Sequence, residues 1–164
     1  MVAATFVHGD WMHVIGNLWF LWVFGRSVEI EIGTFRYVAA FAFLGIPGFA
    51  VHWAFFSSEA VPVVGASGAI SLLMGAYLVL FPGTSVRFLL VLGWVVRVLP
   101  VPAWIGLLSW AVLQIADMFW GNPGSTSIAY AAHFGGFATG ALAGLIWRSV
   151  SPDPQLEAAK AQSS

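Results

Sequence analysis

The sequence predicts an all-α fold, a polytopic membrane bundle of five transmembrane helices. Sixty per cent of the 164 residues are hydrophobic and 8% are charged, whereas roughly 25% of the residues of a soluble domain carry a charge. Apolar stretches of about 20 residues recur, as in proteins that cross the membrane several times. One membrane domain, residues 1–148, includes them all, and we expect the polar tail, residues 149–164, to be disordered and cytoplasmic.

The first two predicted spans are apolar segments bounded by charged residues. The first covers residues 11–24 and stops at Gly25 and Arg26. The second covers residues 37–56, between the sequences GTFR and SSE. Each boundary places charge where the chain would leave the hydrocarbon, since charged side chains are costly inside it.

The last three predicted spans are separated by segments that contain proline or glycine. The third covers residues 65–81 and ends before PGT, the fourth follows PVP and covers residues 103–116, and the fifth covers residues 128–147. Between the third and the fourth, residues 86–99 are apolar but include two arginines and a glycine. We therefore interpret residues 86–99 as a connection at the membrane interface.

The basic residues predict the orientation. With five spans, all six fall on one side of the membrane: Arg26, Arg36, Arg87, Arg97, Arg148 and Lys160. Because cytoplasmic loops carry an excess of lysine and arginine, we expect a multi-pass integral protein of the plasma (inner) membrane with a cytoplasmic C-terminus. The first ten residues contain neither a signal peptide nor a helix to carry them outside. We therefore expect the native gene product to have a further transmembrane helix upstream.

Composition argues against several classes of function. The chain has no cysteine, which excludes disulfides and thiolate metal sites. It has no basic stripe for nucleic acid, no HExxH motif and no carboxylate within helical reach of a histidine pair. We expect no cofactor, no metal and no nucleic-acid partner, and we expect the lipid bilayer to surround the protein.

Four polar residues lie inside predicted spans, where such residues usually face a cavity or a functional site. They are His13 and Asn17 in the first span, Ser67 in the third and His133 in the fifth. His13 and Asn17 are four residues apart, about 40° around a helix, so they share a face. Helix packing alone also explains such residues, since serine is common at helix contacts and histidine and asparagine can bond across helices.

Glycines lie close in sequence to both Ser67 and His133 and would shape a site between these two residues. Two flank the serine in GASG, and three repeat at every fourth position after the histidine. They are Gly65 and Gly68, then Gly136, Gly140 and Gly144. This stripe by itself predicts close helix packing. Packed against the serine motif, it would bring His133 near Ser67, and the glycines beside the serine would let a substrate backbone approach closely.

These residue types have the chemistry of acyl transfer. A serine needs a base to become a nucleophile, and a neutral imidazole at His133 can accept the proton of Ser67. The oxyanion that develops needs fixed donors, which His13, Asn17 and backbone N–H groups near Ser67 can supply. Ser67 is therefore a candidate nucleophile, exposed by glycines at the start of a helix.

Three motifs resemble those of rhomboid intramembrane serine proteases. HGDWMHVIGN followed by LWFLWVFGRSVE resembles the second transmembrane helix of that family, GASG resembles its serine motif, and AHFGGFATG its histidine motif. The resemblance implies a Ser67–His133 dyad, with His13 and Asn17 in the oxyanion hole and no carboxylate to orient the histidine. It also implies cleavage of transmembrane protein substrates near the outer ends of their helices, without metal or cofactor.

The chain departs from the family pattern in two respects. Family members have at least six helices, and this chain begins where the loop after the first would be ending, which is a second reason to expect an upstream helix. Many members also carry an aromatic residue four positions after the serine, where its ring supports the histidine. Ser71 occupies that position. Its hydroxyl can bond to His133, but we expect stacking to be lost.

Two other functions are compatible with the sequence. One is a catalytically weak or silent rhomboid-like protein that binds transmembrane segments, although such proteins usually lack the serine or the histidine and this chain has both. The other is a transporter or channel, against which the missing internal repeat and the missing intramembrane ion pair both argue.

Overall fold

Helices dominate the structure, a computed structural model that describes residues 7–8, 10–43, 46–56, 65–120 and 130–151. In chain order they are α1 (Trp11–Phe20), α2 (Arg26–Ile32), α3 (Thr34–Phe43), α4 (Ile46–Phe56), α5 (Ser67–Leu80), α6 (Ala103–Trp120) and α7 (Tyr130–Val150). Two strands, β1 (Ser85–Leu92) and β2 (Val95–Pro102), lie between α5 and α6. The helical bundle agrees with the predicted all-α class, and the strands are an element that the sequence analysis did not predict.

The first helix extends beyond the end of the first predicted span. The carboxylate of Asp10 caps α1 by accepting a hydrogen bond from the backbone N–H of His13 at 2.8 Å. A π-helical stretch, Leu21–Gly25, then leads directly into α2. The helix ends at Gly33, which has a φ of +83°, a conformation that glycine adopts readily. Gly25 does not end the helix because one glycine weakens a helix by only about 1 kcal/mol.

The other predicted spans coincide with helices over most of their length. The second contains most of α3 and all of α4, and the remaining three correspond to α5, α6 and α7. Within the described ranges one segment, Thr34–Ala54, is long and apolar enough to cross a membrane, and Ser67–Leu80 and Ala103–Asp117 are shorter apolar helices. The number of spans therefore stays a prediction. Most of the tail predicted to be disordered lies outside the described residues.

Helix α5 forms the centre of the bundle, and its longest contact is with α7. Every residue from Gly68 to Tyr77 is buried, which is typical of a helix that is apolar on all sides. Glycines of α7 set the separation of the two helices: a Cβ at Gly136 would collide with the carbonyl oxygen of Gly68, and one at Gly140 with that of Leu72. The predicted packing of the glycine stripe against the serine motif is confirmed.

Arginines gather at the end of the bundle where α5 and α7 end. The guanidinium of Arg148 donates a hydrogen bond to the carbonyl oxygen of Val79 at 3.2 Å. The guanidinium of Arg36 lies 5.3 Å from the ring centroid of Trp147, whose indole N–H donates to Glu31 at 3.1 Å. Because α5 and α7 run parallel, Ser67 and His133 lie at the opposite end, where these helices begin.

The two strands form a hairpin at the arginine end of the bundle. They pair antiparallel from Ser85–Pro102 to Leu92–Val95. Gly93, with a φ of +58°, is the first residue of the two-residue turn, as in the tight turns that suit hairpins. The segment that we interpreted only as an interfacial connection is thus an extended two-stranded element.

Candidate active site

Ser67 is the first residue of α5, as the sequence predicts. Gly65, two residues earlier, has a φ of +111°, which side-chain-bearing residues rarely adopt. The first intrahelical bond runs from the N–H of Ile70 to the carbonyl of Ala66 at 2.9 Å. The preceding N–H groups therefore have no acceptor within the helix, and the capping residue, Ala66, offers them no side-chain bond. Backbone donors thus remain beside the serine hydroxyl.

His133 lies in the first turn of α7 and is buried, with 7% of its surface exposed. Its Nδ1 lies 2.6 Å from Oε1 of Gln114 on α6, which is also buried. A carboxamide oxygen can only accept a hydrogen bond, so this pairing assigns the proton to Nδ1. Nε2 of the neutral ring then carries no proton, and an imidazole in this tautomer can accept a proton from a serine.

One cavity of about 160 Å³ brings together the four polar residues that the sequence singles out. His13, Asn17, Ser67 and His133 all line it. The two residues from α1 share a face, as their spacing predicts, and that face points toward the beginnings of α5 and α7. A cavity of this size holds several water molecules, each of which needs about 30 Å³.

Asn17 carries an unsatisfied donor in this cavity. The residue is buried, and its Nδ2 has no hydrogen-bond acceptor among the described residues. A Cβ built at Gly65 would lie 3.7 Å from Oγ of Ser67 and 3.9 Å from Nδ2 of Asn17, so both atoms border the same small space. Because an unsatisfied buried donor costs about 1–3 kcal/mol, its presence here requires an explanation. A developing oxyanion would supply the missing acceptor.

Ser71 does not have the role that we considered for it. Its hydroxyl donates to the carbonyl oxygen of Ser67 at 2.6 Å, so its single proton is not available to His133. Position 71 offers no ring to the histidine, as we expected, but Trp110 on α6 lies beside it, with ring centroids 5.9 Å apart and ring planes tilted by 32°. The histidine ring therefore has an aromatic neighbour on another helix.

Sequence reasoning missed two residues of the site, Trp110 and Gln114. They are four residues apart on α6 and so lie on one face, which packs against α7. The sequence did contain a signal for Gln114, because a carboxamide within an apolar span is as costly as the polar groups that we did consider. For metals, the described residues contain no group of three histidine, aspartate or glutamate side chains that could hold an ion.

The fold and the cavity define a class: a helical bundle in which a serine and a histidine begin two parallel helices and line one cavity. The family model of the rhomboid domain matches residues 1–150. The chain therefore belongs to the rhomboid family, whose members are integral membrane proteins. The resemblance that the three sequence motifs indicate is confirmed.

Two similar proteins match most of this chain and a third matches a shorter part, and the chain covers less than half of each of them. It is 29% identical over 152 residues to rhomboid protein 1, mitochondrial, of Saccharomyces cerevisiae, covering 88% of the chain and 40% of that protein. It is 27% identical to RHOMBOID-like protein 5 of Arabidopsis thaliana over 89% of the chain and 43% of that protein. Rhomboid-like protein 11, chloroplastic, also of Arabidopsis thaliana, is 44% identical over 42% of the chain and 24% of that protein.

The comparisons do not identify the membrane in which this protein lies, and they include no solved structure. Two of these relatives are named as mitochondrial and chloroplastic, so the plasma membrane and the orientation stay predictions. No solved structure gives a significant match to the chain.

Proposed function

We propose that the protein is a serine endopeptidase that cleaves transmembrane segments of other membrane proteins by means of a Ser67–His133 dyad. The observation that carries this proposal is the shared cavity, because Ser67 and His133, which are distant in sequence, both line it near the start of their helices. Gln114 adds support, since its oxygen favours the imidazole tautomer that can act as a base.

Acylation follows from this arrangement. Oγ of Ser67 attacks the scissile carbonyl carbon while its proton passes to Nε2 of His133. The Nδ1–H of the resulting imidazolium stays bonded to Gln114, which stabilises the positive charge. The carbonyl oxygen becomes an oxyanion and accepts hydrogen bonds from Nδ2 of Asn17 and from N–H groups at the start of α5 that have no acceptor within the helix, with His13 as a further donor.

Collapse of the tetrahedral intermediate completes the first half of the reaction. The C–N bond breaks, and His133 transfers its proton from Nε2 to the leaving amine. A water molecule then attacks the acyl-enzyme, with His133 accepting one of its protons, and the ester bond to Ser67 breaks. The serine recovers its proton from the histidine, so protons balance over the cycle.

Membership of the rhomboid family supports the substrate class, because an integral membrane protein meets the transmembrane segments of its neighbours. Exposed apolar side chains on two of the helices that line the cavity, α1 and α6, provide a surface for such a segment. On α1 they include Leu18 and Trp19, and on α6 Val112 and Leu113.

Covalent labelling tests the proposal. A fluorophosphonate probe should react with the detergent-solubilised protein, peptide mapping should place the adduct on Ser67, and Ser67→Ala should abolish it. Ser109→Ala is the matched control, because that serine is exposed on α6. A reconstituted transmembrane substrate should be cleaved by the wild type and by the control but not by Ser67→Ala. A folded protein that neither labels nor cleaves would instead be the silent protein that binds transmembrane segments.

A further inference from the structure

The hairpin of β1 and β2 is apolar on both faces. All of its strand residues are exposed except Val86, Val101 and Pro102. Cross-strand pairs such as Phe88–Leu99 occupy one face, and pairs such as Leu89–Val98 occupy the other. Trp94, in the turn, is fully exposed. An apolar patch of this kind, rimmed by polar groups, marks an interaction surface.

The backbone of the hairpin limits what can cover it. Among the described residues no third strand pairs with the hairpin, so each of its two outer edges carries N–H and C=O groups without a strand partner. Open edges do not occur in the hydrocarbon of a bilayer, because each unsatisfied group costs several kcal/mol there. The apolar faces of the hairpin favour burial in the membrane, and its unsatisfied edges exclude the hairpin from the centre of the bilayer. The headgroup region satisfies both, because water and phosphate oxygens can bond to the edges.

Charge selects the kind of lipid. Arg87 lies opposite Pro100 and Arg97 lies opposite Leu90, so the two arginines project from opposite faces. Residues 82–102 contain no aspartate or glutamate. Arginine binds phosphate oxygens through parallel hydrogen bonds, and its aliphatic stem can lie along apolar surface.

We propose that the β1–β2 hairpin binds anionic phospholipid at the boundary between headgroups and acyl chains, in the leaflet at the arginine end of the bundle. The faces contact the upper acyl chains, the arginines contact phosphates, and Trp94 lies at the depth where tryptophan is enriched in membrane proteins. This binding does not depend on the proposed protease activity.

The absence of cysteine from the chain gives a direct test. Trp94→Cys creates a single thiol for a fluorophore in the full chain, reconstituted into vesicles of phosphatidylcholine with phosphatidylglycerol. Quenchers attached to lipid headgroups and upper acyl chains should reduce the fluorescence more than quenchers at the chain ends. A fluorophore at Gly83→Cys provides the reference, because this exposed glycine has open space around it at the base of the hairpin.

The arginines are tested in the same preparation. Quencher-labelled phosphatidylglycerol should act more strongly at position 94 than the same quencher on phosphatidylcholine, by on the order of fivefold per arginine. Arg87→Gln with Arg97→Gln should remove the preference, and Arg87→Lys with Arg97→Lys should retain most of it. Equal quenching by both lipids in the wild type would overturn the proposal. So would self-quenching between labelled copies, which would show that hairpin edges pair with each other.

Discussion

Replacing Gln114 by leucine removes the only described acceptor that holds Nδ1 of His133. The two side chains are 8% and 7% exposed, so water cannot readily replace the carboxamide oxygen that lies 2.6 Å from the ring. Leucine has nearly the same volume as glutamine and keeps the packing between α6 and α7. The substitution therefore tests the hydrogen bond more than the space that Gln114 fills.

The magnitude follows from the change in charge during acylation. The Nδ1–H bond is between neutral groups in the resting enzyme, where it contributes about 0.5–1.5 kcal/mol, and it becomes charge-assisted, at about 1.5–3 kcal/mol, when His133 accepts the serine proton. The difference of roughly 1–1.5 kcal/mol is lost from the transition state only. Because 1.36 kcal/mol corresponds to a factor of ten in rate, Gln114→Leu should label about tenfold more slowly.

The assay is the second-order rate constant for fluorophosphonate labelling of Ser67, measured against pH together with the melting temperature. Gln114→Glu, which keeps an acceptor oxygen in place, should restore the rate, and Ser109→Ala, at an exposed position on α6, should leave it unchanged. A wild-type rate for Gln114→Leu at every pH would refute the reasoning. So would a Gln114→Glu variant that melts normally but labels as slowly as the leucine variant, because space-filling alone would then explain Gln114.

Two further predictions concern the oxyanion donor and the helix contact. Asn17→Ala should slow labelling by about 10- to 100-fold, which is less than the 10²–10³ that loss of a single donor can cost, because other donors remain. The melting temperature of this variant should not fall, since the change removes an unsatisfied buried donor. Parallel losses of rate and stability would contradict the role of Asn17 as an oxyanion donor. Gly140→Ala should lower the melting temperature, because its Cβ would collide with the carbonyl of Leu72 and overpacking of this kind costs about 1–3 kcal/mol. The control Gly83→Ala, with nothing nearby, should melt as the wild type does, and an unchanged Gly140→Ala would show that α5 and α7 can separate without cost.

The sequence alone determined which helices carry the site and which faces they present. A period of 3.6 residues fixes His13 and Asn17 on one face of α1, and three glycines four residues apart fix the face of α7 that lies against α5. Gly65 and Gly68 indicated a helix that begins at Ser67. These features are local, because each depends only on the spacing of residues along one helix. The two glycine-lined faces pair because glycine is small enough to let the helices approach closely.

Only the tertiary structure decided what surrounds the histidine and what connects α5 to α6. Ser71 and Gln114 are both polar residues in apolar helices, and spacing along the chain does not show which of them reaches His133. That depends on the rotation of α6 against α7, which brings Trp110 and Gln114 to the ring, while the hydroxyl of Ser71 bonds to its own helix. The hairpin was not predicted from the sequence, because a continuous apolar run has no periodicity that distinguishes a strand from a helix.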